Sequence, residues 1–355
     1  MTARGASDVT GRSASGLRRT ALSGRDDGRD RRDIRQVPGI GGLALGVAAA
    51  VLILAWVGSN GYRQTLVTAT VTYALIALGM YVPYLMAGSL SMAYGAYAGI
   101  GGYAVGLIST RTGLPLLLAW IAGPIVAAVI AVLLGLATRR LSGFFLAAVT
   151  LLFGMAFTAF LIDGERITGG SGGLGNLRPL HLFGWTPSHY QVVIGSVVVV
   201  CVIAFLLDRL RLSPWGVVVR TMRDAPRAVE AAGVRVPMMN LVALALGAAV
   251  AAIGGALFTY SAGSITPDTF TLNIVFLAIF MPLIGGSGTP WGAVAGAVLA
   301  VQLTLNFPAI QASGTLLLAL GVLFIMLVAP KGVIGYADEL RRRAIALPRK
   351  GRTHG

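Results

Sequence analysis

The sequence predicts an all-α polytopic membrane protein with about ten transmembrane segments and both termini on the cytoplasmic side. Three observations carry that prediction. Of the 355 residues, 56% are hydrophobic and 12% are charged, against roughly 25% charged in soluble domains. The apolar residues are gathered into runs close to the ~20 residues that cross ~30 Å of hydrocarbon. The basic residues fall almost entirely into alternate connections between those runs.

The candidate crossings are 40–58, 66–86, 90–109, 114–137, 143–162, 190–207, 239–259, 272–286, 291–308 and 313–329. The run 90–109 is rich in Gly and Ser. The run 272–286 is short and ends in Ile284-Gly285-Gly286-Ser287-Gly288, as a broken or re-entrant segment would. The 48 glycines agree with this class, because Gly is commoner in membrane helices than in soluble ones. Residues 1–38 are polar with no periodic apolar face and read as a disordered basic tail. Residues 39–330 form the membrane domain, with a cytoplasmic loop at 208–238, and 331–355 form a second basic tail.

Lys and Arg mark the cytoplasmic side. With ten crossings, 24 of the 28 fall on one side: the N-terminal tail, Arg139-Arg140, the 208–238 loop and the C-terminal tail. Arg63, Arg111, Arg166 and Arg178 fall on the other. The net charge of +15 is thus a topology signal and does not point to nucleic acid.

None of the ten runs contains Asp, Glu, Lys, Arg or His. Proton-coupled pumps place such groups in the membrane, and an intramembrane enzyme needs them as acid and base. The two lysines, Lys331 and Lys350, follow no phosphate-loop glycine pattern. A driven transporter of this sequence therefore takes its energy from another polypeptide. No metal site and no cofactor are expected, and Cys201 reads as a small buried hydrophobe.

The 208–238 loop is long enough to receive such a push. Ser213-Pro214 suits a helix start, Pro226 suits a second, and Gly233 is placed to end it. The stretch from Ser213 to Val234 resembles the cytoplasmic coupling segment of the branched-chain amino-acid ABC permeases of the Liv H/M type, closest to the M-type subunit. Arg220, Arg223, Asp224, Ala228, Glu230, Ala231 and Gly233 carry the resemblance. Pro226 departs from it, standing where a charged or polar residue is expected. The broader ABC-importer pattern of Glu-Ala-Ala, three residues, then Gly is not met, because Gly233 follows Glu230-Ala231-Ala232 directly.

Four further stretches resemble the same family: Ser89 to Tyr103, Phe144 to Leu151, Ile167 to Leu174, and Gly263 to Phe270 leading into Ile284 to Gly288. Family members often carry a His where this chain has Met92 or Ala93. Tyr94-Gly-Ala-Tyr-Ala-Gly99 also matches Trp291-Gly-Ala-Val-Ala-Gly296, each after a Gly-Ser pair, which suggests a parallel internal repeat. A solute path is expected beside these helix breaks, at Ser89, Ser91, Tyr94, Gly95, Tyr97, Thr150, Gly285, Gly286 and Ser287. The other reading of these residues is ordinary helix-to-helix bonding. Thr168, Gly169 and Gly170 are expected to help dock an extracytoplasmic solute-binding protein.

The resemblance implies a multi-pass permease of the bacterial cell membrane. It implies partnership with ABC ATPase subunits, a second homologous permease and a binding protein, and import of a branched-chain or related small amino acid. Urea-like amides and sugars stay open as substrates. An ATP-independent carrier or channel and a membrane scaffold stay open as classes.

Overall fold

A computed structural model of the chain describes residues 40–306, apart from 59, 113, 114, 140, 142 and 178–186. The predicted crossing 313–329 and the tails 1–38 and 331–355 lie outside the described residues. The described residues form the helices α1 (Ile40–Val57), α2 (Gly61–Met80, continued by a π-helical turn Tyr81–Met86), α3 (Tyr94–Arg111), α4 (Leu117–Ala137), α5 (Phe144–Asp163), α6 (Glu165–Thr168), α7 (His189–Leu212), α8 (Pro214–Asp224), α9 (Pro226–Ala231), α10 (Val236–Ala262), α11 (Leu272–Gly285) and α12 (Pro290–Asn306). Among the described residues the β pairing is a single antiparallel bridge, Leu174 to Ile265.

Six helical stretches are long and apolar enough to cross a membrane: Gly61–Met86, Leu117–Ala137, Phe144–Asp163, His189–Leu212, Val236–Ala262 and Pro267–Gly285. Helices α1 and α3 have 18 residues each and α12 has 17, a rise of about 25 Å or slightly more. The chain is a multi-pass membrane protein. The predicted run 90–109 becomes helical only at Tyr94, leaving residues 88–93 as a non-helical break. The runs 190–207 and 239–259 become longer helices, since α7 and α10 extend into the polar loop between them.

Helix α4 shows why the bundle holds together in lipid. Its buried residues are Ala119, Gly123, Ala127, Ala131 and Gly135, one small residue every fourth position. Its exposed residues include Leu117, Ile121, Ile125, Val129 and Leu133. Large apolar groups point outward because lipid tails are as apolar as they are. Small ones point inward because close backbone approach supplies the van der Waals energy of association.

Helix α10 takes this furthest. A Cβ at Gly255 would fall on the Ala98 carbonyl of α3, and one at Gly101 on the Ala252 carbonyl of α10. On the next face, Gly247 of α10 meets the Gly79 carbonyl of α2. Thus α2, α3, α4 and α10 form the tight centre. Helices α11 and α12 close on each other through Gly285, Gly292 and Gly296 and pack on the other side of α2.

The π-turn after α2 has a local cause. Pro83 has no N–H to give the Gly79 carbonyl. That carbonyl instead accepts from the buried Tyr94 hydroxyl at 3.2 Å. The backbone re-registers, with Ala87 N–H reaching Val82 O at 3.1 Å and Ser89 N–H reaching Pro83 O at 2.8 Å. Gly88 then takes φ +75°, a left-handed conformation that Gly adopts without steric cost.

Gly255→Ala therefore forces a methyl group against backbone and is expected to destabilise by about 2–3 kcal/mol, the upper part of the range for overpacking. Gly195→Ala on α7, where a Cβ meets nothing within 4 Å, is expected to be neutral or slightly stabilising. Thermal unfolding in detergent, followed by size-exclusion fluorescence, compares the two; equal melting temperatures would contradict the packing argument.

Candidate functional site

Bonds from Arg223 to Leu85, Ser89 to Asn240, Met92 to Thr150 and Arg211 to Gly288 bring the break at 88–93, the start of α5, the segment α8–α9, the start of α10 and the turn between α11 and α12 to one end. Arg209, Arg211, Arg220, Arg223, Arg227 and Arg235 lie at this basic end. Arg63 in the first turn of α2, Arg111 at the end of α3 and Arg166 in α6 lie at the other end.

At the basic end, Ser213 caps α8 by accepting the Gly216 N–H at 3.2 Å, with Pro214 in the first helical position. Ala225 leaves the helical conformation ahead of Pro226, at φ −140° and ψ 65°, since the residue before a proline disfavours the helical region. Pro226 sits in the first turn of α9, where a missing N–H leaves no bond unmade. That is how the chain accommodates the departure noted in the sequence. Gly233 follows at φ +86°.

The two short helices are amphipathic. Gly216, Val219, Met222 and Val229 are buried. Arg220, Arg223, Asp224, Ala228, Glu230, Ala231 and Gly233, the residues singled out in the sequence, are exposed. The segment is thus anchored by one face and presents the other.

Its anchors grip the helix breaks. The Arg223 guanidinium donates to the Leu85 carbonyl of the π-turn at 2.5 Å, and its side chain lies directly over Gly88. Arg220 donates to Gly216 O and to Arg211 O, both at 3.3 Å, folding α8 back onto the end of α7. Arg211 pairs with the buried Asp208 at 3.4 Å and donates to the Gly288 carbonyl between α11 and α12. Tyr81 also reaches Gly288 O, at 3.5 Å. Both breaks predicted from the sequence are therefore held by the α7–α8 corner.

The expected path residues divide into two groups. Ser89, Ser91, Tyr94, Tyr97 and Thr150 gather where α3 begins. Ser89 bonds Asn240 of α10 at 3.1 Å. Thr150 accepts the Met92 N–H at 2.8 Å and bonds the Leu146 and Ala147 carbonyls. Ser91 accepts the Ala93 N–H at 3.4 Å. Tyr94 and Tyr97 pack edge to face, with centroids 5.5 Å apart, and Gly95 faces the Phe270 carbonyl. Gly285, Gly286 and Ser287 belong to the α11–α12 contact; the two glycines are buried and Ser287 is exposed. The hydroxyls of Ser91, Tyr94 and Thr150 satisfy backbone freed by the break, and that of Ser89 bonds the Asn240 side chain. Asn240, Arg211 and Tyr81, which share these bonds, carried no local sequence signal for that role.

At the opposite end, the Thr168 hydroxyl lies 2.5 Å from Leu161 O and 2.9 Å from Gly164 O, within donating reach of both, and accepts the Gly170 N–H at 3.3 Å. Gly169 turns the chain at φ +80°. Gly173 packs against the Ile265 carbonyl, and Leu174 and Ile265 exchange two backbone bonds of 2.8 Å. The Thr-Gly-Gly loop is thereby fastened to both α5 and the 263–270 loop.

A multi-pass helical protein with broken helices gripped by an amphipathic segment at its basic end has the architecture of a membrane permease subunit. The comparison with known proteins makes this particular. The chain belongs to the family described as branched-chain amino acid transport system / permease component, whose family model matches residues 62–329. It is similar to the high-affinity branched-chain amino acid transport system permease protein LivM of Escherichia coli (strain K12), with 28% identity over 284 residues covering 72% of this chain and 66% of the relative. The corresponding LivM of Salmonella typhimurium is 27% identical over 281 residues, with the same coverage. A probable branched-chain amino acid transport permease protein LivM of Methanocaldococcus jannaschii is 33% identical over 103 residues, covering 28% of this chain and 30% of the relative. The match spans just under two thirds of the length of the two enterobacterial relatives. No solved structure matches the chain.

Arg223→Ala removes the tie between α8 and the π-turn. Loss of one partly exposed, charge-assisted bond is expected to speed amide exchange in residues 81–90 about tenfold. Hydrogen exchange with mass spectrometry in detergent checks this, and unchanged protection there would remove Arg223 as an anchor.

Proposed function

We propose that this chain is the membrane-spanning permease subunit of an ABC importer in a bacterial cell membrane. It carries a branched-chain or related small amino acid delivered by an extracytoplasmic binding protein. Separate ATPase subunits drive it, and a second homologous permease completes the path. The basic end faces the cytoplasm, with the tails 1–38 and 331–355 on the same side.

One observation carries the reading. Helix α8 packs on the π-turn at the first break, Arg211 at the end of α7 holds the second, and α8–α9 leave Asp224, Arg227, Ala228, Glu230 and Ala231 exposed to a partner. In this role the ATPase engages the exposed face, and its motion reaches the breaks through Arg223 at Leu85 and Arg211 at Gly288. Arg220, Arg223, Asp224, Ala228, Glu230, Ala231 and Gly233 form the coupling surface. Ser89, Ser91, Tyr94, Gly95, Tyr97 and Thr150 shape one break beside the path, and Gly285, Gly286 and Ser287 shape the other. Thr168, Gly169 and Gly170 contribute to binding-protein docking. Acidic and basic side chains stand only toward the ends of the described long helices, and middles without them suit a zwitterion, which binds weakly and must leave.

Co-purification of the tagged chain with its ATPase tests this reading. Wild type is expected to retain the ATPase, and Glu230→Arg is expected to lower recovery more than tenfold. A folded wild-type preparation that binds no ATPase would favour a carrier or channel instead. Deleting 168–175 is expected to abolish binding-protein-dependent uptake while the chain still inserts. Uptake that survives the deletion would show that the Thr-Gly-Gly loop is no docking element.

A further inference from the structure

The arginines at the basic end divide by where they point. Arg211, Arg220 and Arg223 turn back onto carbonyls of the chain. Arg139, Arg209 and Arg235 are exposed, and among the described residues the only ion pair is that of Arg211 with Asp208. Each of these three ends a stripe of exposed apolar side chains: Leu133 and Leu136 on α4, Val202 and Leu206 on α7, Met238 and Val242 on α10. A helix face of this kind meets lipid, and an arginine at its end carries its charged head to the level of the lipid headgroups.

Two of the three converge. A Cβ at Gly135 of α4 would meet Leu241 and Leu244 of α10. Farther along, Gly123 of α4 meets Gly101, which itself lies on Ala252 of α10, so the pair runs antiparallel. Arg139 stands four residues beyond Gly135, about 6 Å along the α4 axis. Arg235 stands six residues before Leu241, about 9 Å along the α10 axis in the same direction. Both therefore reach one level, at the mouth of the groove between the two helices, with Leu136 and Met238 next along it. Arg209 instead stands alone on α7, over the ring of Phe205 at 5.2 Å.

Neither helix supplies a counter-charge. The sequence has no Asp or Glu from 125 to 162 or from 231 to 267. Two guanidinium groups above an apolar groove complement a phosphate that carries acyl chains. Arg binds phosphate through paired N–H bonds. Two positive charges this close also favour a ligand of net negative charge over a zwitterion, whose own cation they repel.

We infer that the α4–α10 groove at the basic end is a binding site for an anionic phospholipid. Arg139 and Arg235 hold the phosphate, and the acyl chains lie along Leu133, Leu136, Met238 and Val242. Basic pockets between membrane helices hold anionic headgroups in this way. Helix α10 follows the α8–α9 segment, so the lipid sits at the root of that segment and fixes the depth of α10 in the bilayer. The inference does not depend on which solute the chain carries.

Native mass spectrometry of the full-length chain, titrated in detergent with phosphatidylglycerol or phosphatidylcholine, tests the site. Wild type should bind phosphatidylglycerol more tightly. Arg139→Gln and Arg235→Gln should each weaken that binding about fivefold, the worth of one arginine beside an anionic headgroup. Arg209→Gln removes the same charge from the same end of another lipid-facing helix and should leave it unchanged. All three side chains are exposed, so melting temperatures in lipid-free detergent should match that of wild type. Equal affinity of wild type for the two lipids would overturn the inference. So would equal losses in all three variants, since attraction would then belong to the basic end as a whole.

A second measurement places the lipid. A trace of phosphatidylglycerol with a photoreactive acyl chain, in phosphatidylcholine nanodiscs, should label the peptides that hold Leu136 and Met238. Labelling confined to other helices would overturn the site. Disulfide crosslinking of Met238→Cys, in a Cys201→Ser background, to a second copy in place of lipid labelling would assign the groove to a protein contact and overturn it as well.

Discussion

Everything in this molecule depends on one constraint: inside hydrocarbon, a backbone carbonyl or amide must find its partner within the protein. Pro83 breaks the hydrogen-bond ladder of α2, and the structure answers with the Tyr94 hydroxyl on the Gly79 carbonyl. That bond ties the break to α3 and so sets where α3 starts. The same constraint makes the glycine contacts productive. With no hydrophobic drive between helices in lipid, association relies on close packing. Gly101 and Gly255 let α3 and α10 approach until main chain on one meets main chain on the other.

The two ends of the bundle turn this rigid centre into a machine with handles. At the basic end, Arg223 and Arg211 grip carbonyls that the breaks leave available, at Leu85 and Gly288. At the other end, Thr168 grips Leu161 O, and the 165–174 loop is bridged to the 263–270 loop. Helix α3 runs between them, with the Ser89–Asn240 bond before its first turn and the contact of Gly106 with Leu174 near its last. A displacement applied to α8 thus meets an unbroken series of packed groups from one end of the membrane domain to the other.

Much of this was legible in the sequence because it depends on composition and local chemistry. Apolar runs fix which stretches become membrane helices. Ser213-Pro214, Pro226 and Gly233 fix α8 and α9 by capping and backbone preference. The rest depends on partners distant in the chain. Hydropathy extends a helix back to residue 90, whereas the chain stays non-helical to residue 93 because Ser89, Met92 and Ala93 are bonded by Asn240, Thr150 and Ser91. The hydroxyls of Ser91, Tyr94 and Thr150 look available for a solute in the sequence. In the structure they are engaged with backbone, since Pro83 and the break create the bonding groups they satisfy.

The central claim is that the α8–α9 segment transmits work from a separate ATPase to the helix breaks through Arg223. Its most direct test is the ratio of solute imported to ATP hydrolysed by the reconstituted complex, wild type against Arg223→Ala. The account predicts that the variant complex assembles and hydrolyses ATP while import per ATP falls severalfold. An unchanged ratio, with the Leu85 contact gone, would contradict it.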